Sequence, residues 1–172
     1  MKKSLLSFVG TMLLAAPALF GEVSAEKVRK ELVTLPFYSI YDNVMYRVDG
    51  STVTLMGSVI RPTMKTSAER VVARIEGVDK VVNEIEVLPL SPFDDSIRVR
   101  VARAIYGNNV LNRYAIGANP PIRVVVKNGE VTLEGIVNNE MERNVAFITA
   151  NGVSGVFKVT NNLRVERRRS ES

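Results

Sequence analysis

The feature that most constrains the fold of this 172-residue chain is an internal repeat with a period of 78 residues. When the chain is shifted by that period, Val53–Val59 (VTLMGSV) aligns with Val131–Val137 (VTLEGIV), and the register continues without a gap. Twelve of the 35 positions from Val53 to Val87 are identical, which indicates a true duplication. Because this period exceeds that of solenoid repeats, it predicts two domains and not a repeat array.

Each copy has the same predicted order of elements, α-β-β-α-β. Apolar residues at helical spacing indicate the helices, and Ser91 with Asp94 forms the pattern of a capping box before the third helix. The second helix of each copy is a crossover, so the strands on either side of it can lie parallel. The predicted helices are Glu26–Leu35, Thr63–Glu76, Asp94–Tyr106 and Glu140–Asn151.

A hairpin follows the first helix of each copy. Asn128-Gly129 suits the positive φ values of a type I′ turn, whereas Asp49-Gly50 predicts a turn one residue longer. Gly57 and Gly135 lie inside strands, where glycine indicates a bulge or a close backbone approach. We predict an α+β fold of two tandem domains, each a small three-stranded mixed sheet packed on two helices. The main predicted strands are Ile122–Val126, Val131–Val137, Val159–Val165 and, in the first copy, Val81–Val87.

The N-terminus has the layout of a secretory signal peptide, with a positive start, an apolar run and small residues before the predicted cleavage point between Ala25 and Glu26. An uncleaved anchor is disfavoured because the run is short for a bilayer span and contains Pro17. We therefore expect a periplasmic or otherwise exported protein, soluble or peripherally membrane-associated. The predicted parts are the signal peptide (1–25), the first copy (26–90), the second copy (91–167) and a basic tail (168–172).

The copies are expected to pack on one another, because the segment between them is short and stiffened by Pro89 and Pro92.

The composition excludes several classes of site. The chain has no Cys, His or Trp, so it lacks disulfides, an acylated cysteine, an imidazole base and the common zinc ligands. Its acidic residues are scattered, and we predict no catalytic residues, no metal and no cofactor. Gly152-Val153-Ser154-Gly155 matches the Gly-x-x-Gly loop of RNA-binding KH domains, but Arg74 replaces the first glycine in the other copy, and we predict no nucleic-acid binding.

The repeated segments resemble the BON domain, named after bacterial osmotic-shock and nodulation proteins. The resemblance rests on the hairpin Asn128–Val137, on Gly155–Leu163 and on their counterparts in the first copy. It implies an envelope protein that binds phospholipid membranes, supports envelope integrity under stress, or forms part of a transport or secretion assembly. The shared residues are mainly apolar and turn positions, so the resemblance transfers no catalytic site.

Positive charge is concentrated in the second copy and the tail. Residues 26–90 hold nine basic and nine acidic residues, whereas residues 91–172 hold twelve and eight, a net charge of +4. Such a surface suits anionic lipid, although a merely solvated basic face is the alternative. The candidate residues are three arginines on the outward side of the third helix and four on the last strand and tail: Arg98, Arg100, Arg103, Arg164, Arg167, Arg168 and Arg169.

One aromatic cluster, Phe37, Tyr38 and Tyr41, is a candidate contact with a membrane or a partner. The alternative, which we favour, is that these rings cover the edge of the first core. The expected function is a non-enzymatic module that binds anionic phospholipid and supports envelope integrity. The other interpretation is an adaptor subunit of an envelope transport or secretion assembly that binds protein partners, and the oligomeric state is left open.

Overall fold

The computed structural model describes residues 23–117 and 119–166, and both copies follow the predicted α-β-β-α-β order. The first copy contains α1 (Ala25–Val33), β1 (Asn43–Asp49), β2 (Thr52–Val59), α2 (Pro62–Val72), β3 (Lys80–Asn83) and β4 (Glu86–Val87). The second copy contains α3 (Pro92–Gly107), a 3₁₀ helix (Asn112–Ala115), β5 (Ile122–Lys127), β6 (Glu130–Val137), α4 (Glu140–Asn151) and β7 (Lys158–Val165).

Each copy forms a mixed sheet with its second strand in the middle. β2 pairs antiparallel with β1 and parallel with β3 and β4, and β6 pairs antiparallel with β5 and parallel with β7. The crossover helix therefore joins parallel strands in each copy, and the prediction of two tandem α+β domains is confirmed. The strand predicted over Val81–Val87 is divided into β3 and β4, and α2 ends at Val72, before the predicted Glu76.

The hairpin turns of the two copies have the same length, so the prediction of a longer turn in the first copy was wrong. Both turns have two central residues, Gly50-Ser51 and Asn128-Gly129. Gly50, and not Asp49, occupies the first central position, with a φ of 58°. In the second copy both central residues have positive φ values, 53° and 77°, as a type I′ turn requires.

Gly57 and Gly135 hold equivalent positions in β2 and β6 and confirm the predicted close approach of two backbones. Their φ values are 103° and 123°. A Cβ at Gly57 would collide with the carbonyl oxygen of Asn43, and a Cβ at Gly135 would collide with that of Pro121. Both the backbone conformation and the available space therefore require glycine.

The first copy includes residues that precede the predicted cleavage point. Val23 is 3% exposed within the first core. Ser24 caps α1, because its hydroxyl oxygen accepts a hydrogen bond from the N–H of Lys27 at 3.4 Å. Cleavage between Ala25 and Glu26 would remove both residues. Residues 1–22, which carry most of the predicted signal peptide, lie outside the described residues.

The two copies pack directly on each other through the segment between α1 and β1. The carbonyl oxygen of Ile40 accepts a hydrogen bond from the N–H of Val124 at 2.8 Å, which adds this segment to the outer edge of β5. Arg123 is 8% exposed and donates to the carbonyl oxygen of Ser39 at 3.0 Å. Its guanidinium carbon lies 4.6 Å from the centre of the Tyr38 ring. The copies therefore pack on one another, as the short linker predicts.

A buried carboxylate fixes the shape of this joining segment. Asp42 is fully buried and accepts hydrogen bonds from the N–H and the hydroxyl of Ser39, at 3.0 and 2.7 Å. Its other oxygen accepts the N–H of Ile60 at 2.9 Å. Because a buried carboxylate is stabilised only when its lone pairs are used, this network favours one conformation of the contact between the copies.

Candidate membrane-binding site

Three segments of the second copy meet at one end of its sheet, which we call the tip: the start of α3, the turn Asn128-Gly129 and the loop before β7. Asp94 is almost fully buried and joins the first two segments. Its carboxylate accepts hydrogen bonds from the N–H groups of Asn128 and Gly129 at 2.9 and 2.8 Å. Ser91 caps α3 as predicted, but the Asp94 side chain binds the turn and does not complete a capping box.

Phe93 and Phe157 form an exposed aromatic pair on the tip. Their ring centres are 6.0 Å apart, and the two residues are 48% and 74% exposed. The N–H of Phe157 donates to the carbonyl oxygen of Gly129 at 3.0 Å, and its ring lies against this glycine. Leu90, at 94% exposure, precedes α3. Large apolar side chains held exposed on a rigid support are typical of binding surfaces.

Basic side chains flank the aromatic pair. A Cβ built on Gly155 would lie 3.0 Å from Nη2 of Arg100 and 3.5 Å from Cζ of Phe93, so guanidinium and ring lie over the same glycine. Arg103 is exposed about one turn further along α3, and Lys158 is exposed at the start of β7. None of these three cations forms an ion pair with another described residue. The tip therefore combines exposed rings with unpaired positive charge.

Arg98 does not belong to this surface, and its predicted place on the outward side of the helix was wrong. The residue is 3% exposed, its Nη2 donates to the carbonyl oxygen of Val126 at 2.6 Å, and its Nη1 pairs with Asp95. The first copy also reaches this part of the second copy, because its Tyr41 packs against the second core. Burial raises the pKa of Tyr41, and the positive charge of Arg98 opposes that rise.

The remaining basic candidates are not part of the tip. Arg164 is exposed near the end of β7, six residues from Lys158, or roughly 20 Å at about 3.3 Å per residue. Arg167, Arg168 and Arg169 lie outside the described residues. The structure thus brings Arg100 and Arg103 to one surface and places Arg164 on another.

The predicted aromatic cluster is divided between the two cores. Tyr38 packs against the first core, as the favoured interpretation expects, but Tyr41 packs against the second. Both rings therefore contribute to the contact between the copies. Phe37 is 78% exposed, with the guanidinium carbon of Arg61 5.5 Å from its ring centre.

Sequence comparison identifies the family. The BON domain profile matches residues 22–89 and 94–167, which together cover most of the chain. This protein belongs to the BON family. The BON family is non-catalytic, which suggests a binding module. Of the helices in residues 23–117 and 119–166, none combines the length and apolarity needed to cross a bilayer.

Comparisons with curated proteins and with solved structures do not indicate a function. No curated protein matches the chain significantly. Two solved structures of CdsD, a structural protein of the type III secretion system of Chlamydia trachomatis, are similar. One covers 82% of this chain and 91% of that chain at 14% identity with a TM-score of 0.31. The other, a C-terminal domain, covers 83% and 97% at 11% identity with a TM-score of 0.29. At these TM-scores the similarity carries no argument about function.

The sequence interpretation did not identify the aromatic pair. Phe93 and Phe157 are far apart in the chain, so no local pattern pairs them. A signal was present in the repeat, because a shift of 78 residues aligns Phe157 with Asp79. A large apolar residue at a position that is charged in the other copy indicates a surface that serves only one of the two domains.

Proposed function

We propose that this protein is an exported, non-enzymatic module that binds anionic phospholipid surfaces through the tip of its second BON domain and supports the cell envelope. The exposed Phe93–Phe157 pair beside Arg100 is the observation that carries this proposal. Aromatic rings favour the boundary between lipid headgroups and hydrocarbon. Lys and Arg near an anionic bilayer gain about 1 kcal/mol each, so the same surface is attracted to the headgroups.

The proposed binding is peripheral. Ile97, Val101 and Ile105 form the inward stripe of α3 and are fully buried in the second core, so this stripe cannot enter the bilayer. Only the rings of the tip reach the headgroup region. Arg100, Arg103 and Lys158 each contribute about 1 kcal/mol of binding free energy, so a single chain binds the membrane weakly. Several chains bound to one surface would bind more strongly.

The first copy supports the proposal by contrast. Its residues 26–90 carry no net charge, and Asp79 stands where the second copy has Phe157. Asp79 keeps the local backbone geometry, because its N–H donates to the carbonyl oxygen of Ser51 at 2.9 Å, as that of Phe157 does to Gly129. An acidic residue at this point would repel an anionic surface.

The test is sedimentation of the mature chain with anionic liposomes after the paired change Arg100→Ser and Arg103→Ser. We expect affinity at low salt to fall by roughly tenfold or more, with a weaker salt dependence than the native chain shows. Arg98 is left unchanged because it is buried. The control is Arg70→Ser with Arg74→Ser, which removes two exposed cations from the first copy and should leave binding unchanged.

The alternative is an adaptor subunit of an envelope transport or secretion assembly. It would be favoured if the native chain did not sediment with anionic liposomes even at low salt, since the tip would then have to contact protein. Unchanged binding in the Arg100→Ser and Arg103→Ser chain would contradict the proposed site.

A further inference from the structure

The outer edge of the second sheet is closed by hydrogen bonds. Ile122, Val124 and Val126 of β5 direct their backbone groups away from β6, and one backbone group of each forms a hydrogen bond with a group outside the sheet. The pairs are Val124 N–H with the Ile40 carbonyl, the Ile122 carbonyl with the Tyr106 hydroxyl, and the Val126 carbonyl with Arg98, at 2.8, 2.5 and 2.6 Å. A tyrosine hydroxyl is a donor at neutral pH, and burial raises the pKa of Tyr106 further, to about 12.

The equivalent edge of the first sheet, β1, is open. The two-residue turn closes with the hydrogen-bonded pair Asp49 and Thr52. Hydrogen-bonded and non-hydrogen-bonded pairs alternate along an antiparallel ladder. Val44, Tyr46 and Val48 are therefore non-hydrogen-bonded positions, and their backbone groups point away from β2. The N–H of Val44 donates to the hydroxyl of Tyr38 at 3.2 Å. Within the described residues, no hydrogen-bond partner contacts the outward backbone groups of Tyr46 or Val48.

The two edges differ because the helices beside them differ. Arg98 and Tyr106 of α3 donate hydrogen bonds to carbonyl oxygens of β5. Among residues 23–117 and 119–166, no side chain of α1 forms a hydrogen bond with the backbone of β1. The first copy therefore keeps outward backbone groups that a further strand can pair with.

A groove of about 690 Å³ runs along this open edge, between α1, β1 and the exposed face of the second sheet. Leu32 and Met45 are among its apolar lining residues. Arg29 and Arg164 also line it, and neither forms an ion pair with a described residue. Glu134 is the acidic lining residue, and its carboxylate already accepts a hydrogen bond from a neighbouring asparagine at 2.7 Å.

We propose that the β1 edge binds an extended peptide segment with acidic side chains, which adds to the first sheet as a further strand. The hydrogen bond from the N–H of Val124 to the carbonyl oxygen of Ile40 shows that the equivalent edge of the second copy already binds a backbone group from outside its sheet. Arg29 and Arg164 select acidic side chains. A second copy is a poor occupant in the antiparallel register centred on Arg47, because that register places the two Arg47 side chains opposite each other. The β1 edge belongs to the first copy and Arg164 to the second, and Arg164 lies at the opposite end of β7 from Lys158, so the site is separate from the tip.

The test uses the mature chain and a labelled, end-blocked peptide of alternating valine and glutamate, with affinity measured by fluorescence anisotropy. Tyr46→Pro removes an outward N–H that is not part of the β1–β2 ladder, and edge strands tolerate proline there. We expect affinity to fall by roughly tenfold or more. Tyr46→Phe retains the N–H and should bind like the native chain. A peptide of alternating valine and lysine should bind roughly tenfold more weakly than the glutamate peptide.

A second measurement does not depend on a variant. The same glutamate peptide with N-methyl groups on alternate residues cannot form strand hydrogen bonds, and its affinity for the native chain should fall by roughly tenfold or more. Equal affinity for the methylated peptide, or no binding of the unmethylated one up to about 1 mM, would overturn the proposal. So would a dimer of the native chain that Tyr46→Pro dissociates, since that would assign the edge to a second copy. Liposome binding should be unchanged in Tyr46→Pro, which separates this site from the tip.

Discussion

The two BON domains share a backbone plan but present different surfaces. The second copy has Phe157 at its tip and a β5 edge closed by Arg98, Tyr106 and the first copy. The first copy has Asp79 at the equivalent point and an open β1 edge. Residues that shape the backbone are therefore common to both copies, while residues that decide what each surface contacts differ. We therefore propose a different binding task for each copy.

The largest expected effect concerns a feature that the copies share. Gly135→Val would force a β-branched residue to a φ of 123° and drive its Cβ into the carbonyl oxygen of Pro121. We expect the free energy of unfolding of the second copy to fall by about 3 kcal/mol. Urea denaturation measures this, and Gly57→Val should cost the first copy a similar amount.

Gly107→Ala is the matched control, because a Cβ on Gly107 meets no atom within 4 Å. It should leave the unfolding midpoint nearly unchanged. If Gly135→Val destabilised the protein no more than Gly107→Ala does, the close approach of the backbones would not constrain the fold.

A smaller effect concerns the start of the first copy. A chain that begins at Glu26 lacks Val23, which is buried in the first core, and Ser24, the cap of α1. Loss of the cap costs about 1 kcal/mol and loss of a buried valine side chain about 1.5 kcal/mol, so the chain starting at residue 22 should be more stable by about 2.5 kcal/mol. The measurement is thermal denaturation of both chains. Equal stability would mean that cleavage after Ala25 carries no structural cost.

A pH dependence is expected at the closed edge. Burial raises the pKa of Tyr106 from 10.0 to about 12, so the folded state holds this proton more tightly than the unfolded state. The resulting stability is complete below pH 10 and is lost as the pH rises towards 12. In Tyr106→Phe, the free energy of unfolding should decline less steeply over this range. Identical slopes for the two chains would contradict the assignment.

Most of the fold could be predicted from the sequence, because backbone demands leave local signals. Asn128-Gly129 specifies a tight turn, and Gly57 and Gly135 recur at one position of the repeat. The turn of the first copy was predicted one residue too long. The Asp-Gly dipeptide indicates a turn that starts at Asp49, but Asp49 is still paired in the ladder and Gly50 is the first residue of the turn.

The candidate site was only partly predictable, because it depends on contacts between distant segments. Arg98 was assigned to the surface since helical periodicity shows only the stripe that faces its own core. Arg98 donates to the carbonyl oxygen of Val126 in β5, and Tyr41 of the other copy packs against the same core, so no pattern within α3 predicts its burial. The pairing of Phe93 with Phe157 likewise requires the tip to be folded.

The division of tasks between the copies is tested most directly by exchanging their tip residues. Phe157→Asp gives the second copy the residue of the first, and the backbone contact of Asp79 shows that aspartate fits this position. Phe157→Ser separates the loss of the ring from the added charge, and Asp79→Phe is the reciprocal change. In sedimentation with anionic liposomes, both changes at Phe157 should lower affinity by roughly tenfold, and Asp79→Phe alone should leave native binding largely unchanged. Native binding in Phe157→Asp would contradict the account.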